Sequence, residues 1–246
     1  MDSHSRELVL VACVHFDPGG YKKLEEVLYR EKPSHIFVEL SPWGFSLRKR
    51  YSRFLLEHLR KNLREAASIL RIKYTDTLKH PSIQSIVAKI SIPYEYRASY
   101  NYSIKSGARV SLVDSSLYSI KHTLTWADLL DTRNLVLLLS QESPSLSSQV
   151  SYEYRLAGSI LRQSDKNAVT TLLTYGDNTE EEREEWIFNQ LRLQLSIRNP
   201  KKSVFIGGWK HFAPKSTFLR KLKKMDNLKI RLVLLSHPHL NCPILP

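Results

Sequence analysis

Short apolar runs rich in β-branched residues alternate along the chain with longer stretches whose apolar residues recur at helical spacing. The run Glu7–Val14 predicts a first strand, and His15-Phe16-Asp17-Pro18-Gly19-Gly20 a loop by its Pro and Gly content. Tyr21, Leu24, Val27 and Leu28 then share one helix face, Pro33 marks the helix end, and Ser34–Glu39 reads as a second strand. So short a crossover implies two parallel, adjacent strands. From Pro42 to about Tyr74 the pattern is helical, with Leu56, Leu59, Leu63, Ala66, Ala67 and Leu70 in one stripe. Residues 82–106 predict one or two further helices broken at Pro93, and Arg109–Asp114 a third strand preceded by Gly107 as helix C-cap. Residues 134–139 fit either a strand or a buried helical turn, and Ser143–Ser148 is the most loop-like segment, a candidate lid or proteolysis site. Helices follow at Tyr152–Gln163 and Glu180–Ile197, then strand Ser203–Gly207, helix Lys215–Lys224 and strand Leu228–Leu235. The alternation predicts a single α/β domain over residues 1–246: a mostly parallel central sheet flanked by helices, with a helical insertion at about 42–106.

Four of the apolar runs lead into residues that hold metals or move protons: His15, Glu39, Asp114 and, after Gly207-Gly208, His211. Ligands of open α/β sheets bind beyond the carboxyl ends of the strands, so these four are expected to converge on one crevice. Each also has a plainer reading. His15 fits a loop histidine bonded to backbone, Asp17 fits ordinary turn chemistry, and Asp114 fits an N-cap or Asx turn. Glu39 ends a strand too apolar for a sheet edge, so a cation, metal or proton must accompany it, and Arg48 is a candidate partner. Gly207-Gly208 permits a tight turn and close approach of backbone to a ligand, and His211 is a residue type that ligates metals and titrates near neutrality. His237, His239 and Cys242 lie close together but lack a second pair of recognised zinc-site form, and a proline-rich tail is the better reading. No Walker loop, Gly-rich dinucleotide fingerprint, HExxH or GxSxG is present.

Composition adds little until charge is counted. A chain of 246 residues with 42% hydrophobic residues buries a core without disulfides, and two cysteines make no disulfide framework. Cys13 reads as a small buried hydrophobe inside its strand. The chain shows no secretory hydrophobic region and no apolar run of membrane-spanning length, so a soluble cytoplasmic protein is expected. The formal charge of +13 is the outlier. Arg50, Arg53, Arg60, Lys61, Arg64 and Arg71 crowd one helix, and residues 215–224 form a second basic segment. Such faces bind polyanions or are simply solvated; without a base-reading motif, only weak, non-specific nucleic-acid binding is expected.

Set together, these positions resemble the TraB/PrgY (pheromone-shutdown) and TIKI group of the erythromycin-esterase/ChaN-like superfamily. Leu10-Val11-Ala12-Cys13-Val14-His15 resembles a family strand ending in GxxH, with Ala12 where glycine is usual. Lys32–Leu40 is similar to the second strand ending in glutamate, Arg48 to the arginine after it, and Gly107–Asp114 to the internal strand ending in aspartate. Glu182-Arg183 is similar to the late helix carrying an Arg, and Gly208-Trp209-Lys210-His211 matches the second GxxH. The resemblance implies an α/β fold and a hydrolase acting on a peptide or ester bond, with a small-molecule or peptide substrate. In the metal-dependent version a divalent ion is held by His15, Glu39, Asp114 and His211. In the metal-free version a histidine activates water and Arg48 or Arg183 stabilises the oxyanion, as His15, Glu39, Arg48, Arg183 and His211 would allow. A nucleic-acid-binding protein and a non-enzymatic small-ligand sensor are the competing classes.

Overall fold

The computed structural model describes residues 6–162, 178–236 and 241–242. Its strands are β1 (Arg6–Cys13), β2 (His35–Val38), β3 (Arg109–Leu112), β4 (Lys202–Gly208), β5 (Leu228–Leu234) and the two-residue β6 (Asn241–Cys242). Between β1 and β2 lies helix α1 (Gly20–Glu31). Helices α2 (Pro42–Leu70), α3 (Tyr74–Thr77), α4 (Pro81–Ile90) and α5 (Tyr94–Ser106) separate β2 from β3. After β3 come α6 (Ser116–Thr123), α7 (Trp126–Leu129), α8 (Thr132–Leu139), α9 (Leu146–Arg162) and α10 (Asn178–Arg198). A 3-10 turn (Trp209–Phe212) follows β4, and α11 (Thr217–Leu222) leads to β5. No helix among the described residues is long and apolar enough to cross a membrane.

The sheet order is β3-β2-β4-β1-β5-β6, parallel throughout except for β6. This is the expected α/β layering, with one correction. β1 and β2 are parallel but not adjacent, because β4 lies between them. Helix α1, twelve residues and so about 18 Å long, is ample to cross the roughly 10 Å that one intervening strand adds. The central place falls to β4 because Ser203–Gly208 is buried along its whole length and therefore needs a partner on each edge.

Register then levels the strand ends. Cys13 lies opposite Gly208 and Val38 opposite Ile206, so the residues that follow β1, β2 and β4 emerge at one height. The ladder extends one residue past β2, where the Glu39 N–H donates to the Ile206 carbonyl at 2.9 Å. Beyond β3, the Asp114 N–H reaches the Leu40 carbonyl.

Gly107, φ 74°, caps α5 as expected. The ambiguous residues 134–139 are helical, within α8, whose Leu135 packs with Leu59, Leu63, Ile83 and Trp126 in an apolar cluster separate from the sheet core. Half of the loop-like Ser143–Ser148 segment belongs to α9, which starts at Leu146. His237 and His239 lie outside the described residues, as does the expected helix end at Gln163.

Candidate active site

Glu39 is the hub of the strand-end crevice. Its carboxylate, 4% exposed, accepts on Oε1 from Arg183 Nη2 at 2.6 Å and pairs there with His211 Nε2 at 2.9 Å. On Oε2 it accepts from the Gly208 N–H at 2.5 Å, and His15 Nε2 stands 3.7 Å away. The structure therefore brings His15, Glu39 and His211 into one network, from sites far apart in sequence. Burial opposes the Glu39 charge, but His211, Arg183 and His15 hold its carboxyl well below the usual carboxylate range.

Each partner is held by a second anion. Arg183, on α10, grips Asp114 as a fork: Nε to Oδ1 and Nη2 to Oδ2, both at 2.9 Å. Its guanidinium lies 4.3 Å from the centre of the Tyr118 ring, whose hydroxyl donates to Glu180. His211 Nδ1 faces Glu184 Oε1 at 3.3 Å, and Glu184 Oε2 in turn accepts the Thr217 N–H at 2.6 Å. Burial pulls the His211 pKa down, but Glu39 and Glu184 outweigh it and bring it up to about 9. Both His211 nitrogens thus face carboxylates, which favour the protonated ring.

His15 differs from the rest by being open. Its side chain is 43% exposed, while Nδ1 donates to Glu95 Oε1 at 2.8 Å. Burial is again opposed by the carboxylates of Glu39 and Glu95, which raise its pKa well above the ordinary value. The turn histidine is therefore oriented by side chains and not by backbone. Glu95, on α5, is 4% exposed, and its second oxygen, Oε2, is buried without a partner among the described residues. The Cys13 thiol donates to the Gly207 carbonyl at 3.1 Å and lies 3.7 Å from Glu95 Oε1. Burial and the nearby Glu95 and Glu39 charges push this thiol up.

The expected residues take unequal parts. Arg183, and not Arg48, neutralises Glu39. Arg48 donates to the main-chain carbonyls of Lys89 (3.0 Å) and Gly44 (2.9 Å) and lies over Trp126, fastening α2 to its neighbours. Asp114 uses its oxygens on Arg183 and on the Ser115 N–H, and Ser115 is the N-cap of α6. Among the described residues, the cluster of three metal-donor side chains with atoms within 4.8 Å of one another is Cys13, His15 and Glu95. It shares only His15 with the expected ligand set; Glu39 and Asp114 both pair with Arg183, and His211 with Glu39 and Glu184. Asp17 makes the expected Asx turn, accepting the Gly19 N–H at 2.8 Å, and also receives Lys23 and the Tyr154 hydroxyl.

Gly207 and Gly208 serve close approach to side chains and not an unusual backbone angle. A Cβ on Gly208 would sit 2.9 Å from His15 Nε2, and one on Gly207 3.0 Å from Glu39 Oε2. Glu95 and Glu184 are the site residues that sequence reading missed. The only signal was a glutamate just after Pro93, at the first turn of a helix, where an acid is unremarkable.

On the open side, His15 and Glu95 border a cavity of about 700 Å3 whose other walls come from the β1–α1 loop, α4 and α5. Comparison with protein families, with curated proteins and with solved structures finds no match.

Proposed function

We propose that the protein is a hydrolase that cleaves a peptide or ester bond at the carboxyl ends of its strands, with His15 and Glu95 as the working pair. The observation that carries this reading is Glu95 Oε2, buried with no partner among the described residues, on a side chain that lines a substrate-sized cavity together with the half-open His15. A buried carboxylate oxygen without a donor is costly, and a water placed there both satisfies it and loses a proton to it. The carboxylates of Glu39 and Glu95 favour the protonated form of His15, whose Nε2 stands at the mouth of the crevice. From there it can stabilise the oxyanion and then protonate the leaving group. Glu39, Arg183, Asp114, His211 and Glu184 form the rigid charged frame behind the pair. The resemblance to the TraB/PrgY and TIKI group supports the same reaction class.

The donor set also suits a divalent metal of borderline softness, since Cys13 offers sulfur, His15 nitrogen and Glu95 oxygen, with one carboxylate oxygen lacking a partner among the described residues. Such an ion would lower the pKa of a bound water and polarise a carbonyl. Elemental analysis of the purified full chain separates the two versions. One bound ion per chain, lost in Cys13→Ser, supports the metal version; a metal-free chain of equal activity supports the version built on Glu95 and His15.

The reading is tested by turnover of nitrophenyl esters and fluorogenic peptides in water enriched in heavy oxygen, with mass analysis of the acid product. One heavy oxygen per product acid and loss of turnover in His15→Gln are expected. No turnover of any ester or peptide, with or without added divalent ions, contradicts the reading and favours a ligand sensor.

A further inference from the structure

The crevice has a second half that the reaction alone does not require. Tyr21, Ile92 and Arg97 border the cavity beside His15 and also a second cavity of about 690 Å3, so the two adjoin along these residues. The inner half is walled by Ile83, Val87, Ala88 and Ile92, with Phe16 at its lip.

Phe16 has φ 65°, a left-handed conformation that a bulky side chain rarely adopts. Phe16 is 37% exposed and lies outside the apolar core, with its ring centre 6.3 Å from that of His15. Strain of this kind persists at sites where a side chain must be presented. The outer half has a different chemistry. Tyr96 and Tyr100 stack at 5.8 Å beside Phe45, Lys49 and Arg97 bring two cations, and among the described residues no carboxylate lines it.

We infer that the substrate is an amphiphilic carboxylic ester or amide. Its apolar chain, next to the scissile carbonyl, lies against Phe16, Val87 and Ile92; its far end carries an anionic group that meets Lys49 and Arg97. This rests on the hydrolase reading for the reaction but on the cleft alone for the recognition. A buried methylene is worth roughly fourfold in affinity, so chain length is the natural variable.

The test uses the full chain with three nitrophenyl esters: butanoyl, octanoyl, and an eight-carbon acyl chain ending in a carboxylate. In parallel, octanoate and octanedioate are tested as competitors of a fluorescent apolar dye, a readout that needs no turnover. The proposal expects kcat/KM for octanoyl to exceed butanoyl by on the order of 100-fold, and the acid-tipped ester to exceed octanoyl severalfold. Lys49→Glu should reverse the latter preference. Val87→Trp, at an exposed position, and Phe16→Gly, which removes the backbone strain along with the ring, should both flatten the chain-length preference while their melting temperatures hold. Turnover indifferent to chain length in the unaltered protein, or selectivity unchanged in both variants, overturns the inference and leaves the hydrolase reading standing. Chain-length-dependent dye displacement without any turnover supports the cleft and sinks the hydrolase reading.

Discussion

At the scale of single residues, the site is a chain of alternating charges in which every cation but His15 is enclosed. Glu39 has three cationic partners, of which His211 and Arg183 are enclosed with it, and a backbone donor. Glu39→Gln leaves a buried cationic pair facing a neutral amide. It should cost about 3 kcal/mol by urea denaturation, in line with breaking a buried ion pair. A loss below about 1 kcal/mol would show that the network is not electrostatically tight. Gly208→Ala is the complementary change, because its methyl would enter the space of the His15 ring at 2.9 Å from Nε2. We expect turnover to fall at least tenfold with little change in melting temperature, since the glycine has an ordinary φ of -56°. The strand-end residues His15, Glu39, Asp114 and His211 were legible because a charged or titrating side chain at the end of an apolar run has few reasons to be there. Glu95 and Glu184 were not, because a glutamate in an amphipathic helix is ordinary until the fold aims it inward.

At the scale of elements, periodicity located the five parallel strands and the longer helices, since burial writes its period into the sequence, but the short α3, α6, α7 and β6 carried too few turns or residues to show one. Strand order is another matter. Nothing local to β1, α1 or β2 reveals that β4, some 160 residues later, slots between them. The pairing of Glu39 with Arg183 instead of Arg48 follows from the same fact. Arg48 is near in sequence but is carried off along α2, while α10 crosses back over the strand ends. Gly107 offers a clean element-level test. Its φ is 74°, and a Cβ there would touch nothing within 4 Å, so Gly107→Ala should cost about 1 kcal/mol of stability for backbone reasons alone. Thermal denaturation measures it, and an unchanged midpoint would mean that α5 can end without a left-handed cap.

For the whole molecule, the two ends of the sheet titrate in opposite directions. At the start of the strands, burial opposes the Glu31 charge, but Arg231, Lys202 and Arg30 bring its pKa down to about 2. The stability it contributes is present above about pH 4.5, the value for an unfolded glutamate, and is lost as pH falls toward 2. His211 works in reverse. With its pKa raised to about 9, its contribution is complete below about pH 6.5 and disappears as pH rises through 9. A plot of unfolding free energy against pH should therefore fall on both flanks, and His211→Gln should remove the alkaline fall. An alkaline flank unchanged in that variant would place the imidazolium elsewhere. The net charge of +13 is carried largely by solvated helix faces such as that of Lys61 and Arg64, both exposed on α2. Reversing both should leave ester turnover unchanged. Tight, salt-sensitive nucleic-acid binding that this double change abolishes would instead make the basic face functional.

In the proposed reaction Glu95 is the group that takes the proton from water, with His15 as its partner. The most direct measurement is kcat/KM of Glu95→Gln for the best ester or peptide, with circular dichroism to verify the fold and Glu95→Asp beside it. Glutamine keeps the hydrogen bond to His15 and removes the basic oxygen. A fall of about 100-fold or more is expected, with a native spectrum and partial recovery in Glu95→Asp. A Glu95→Gln protein that is folded and as active as the unaltered chain would contradict it.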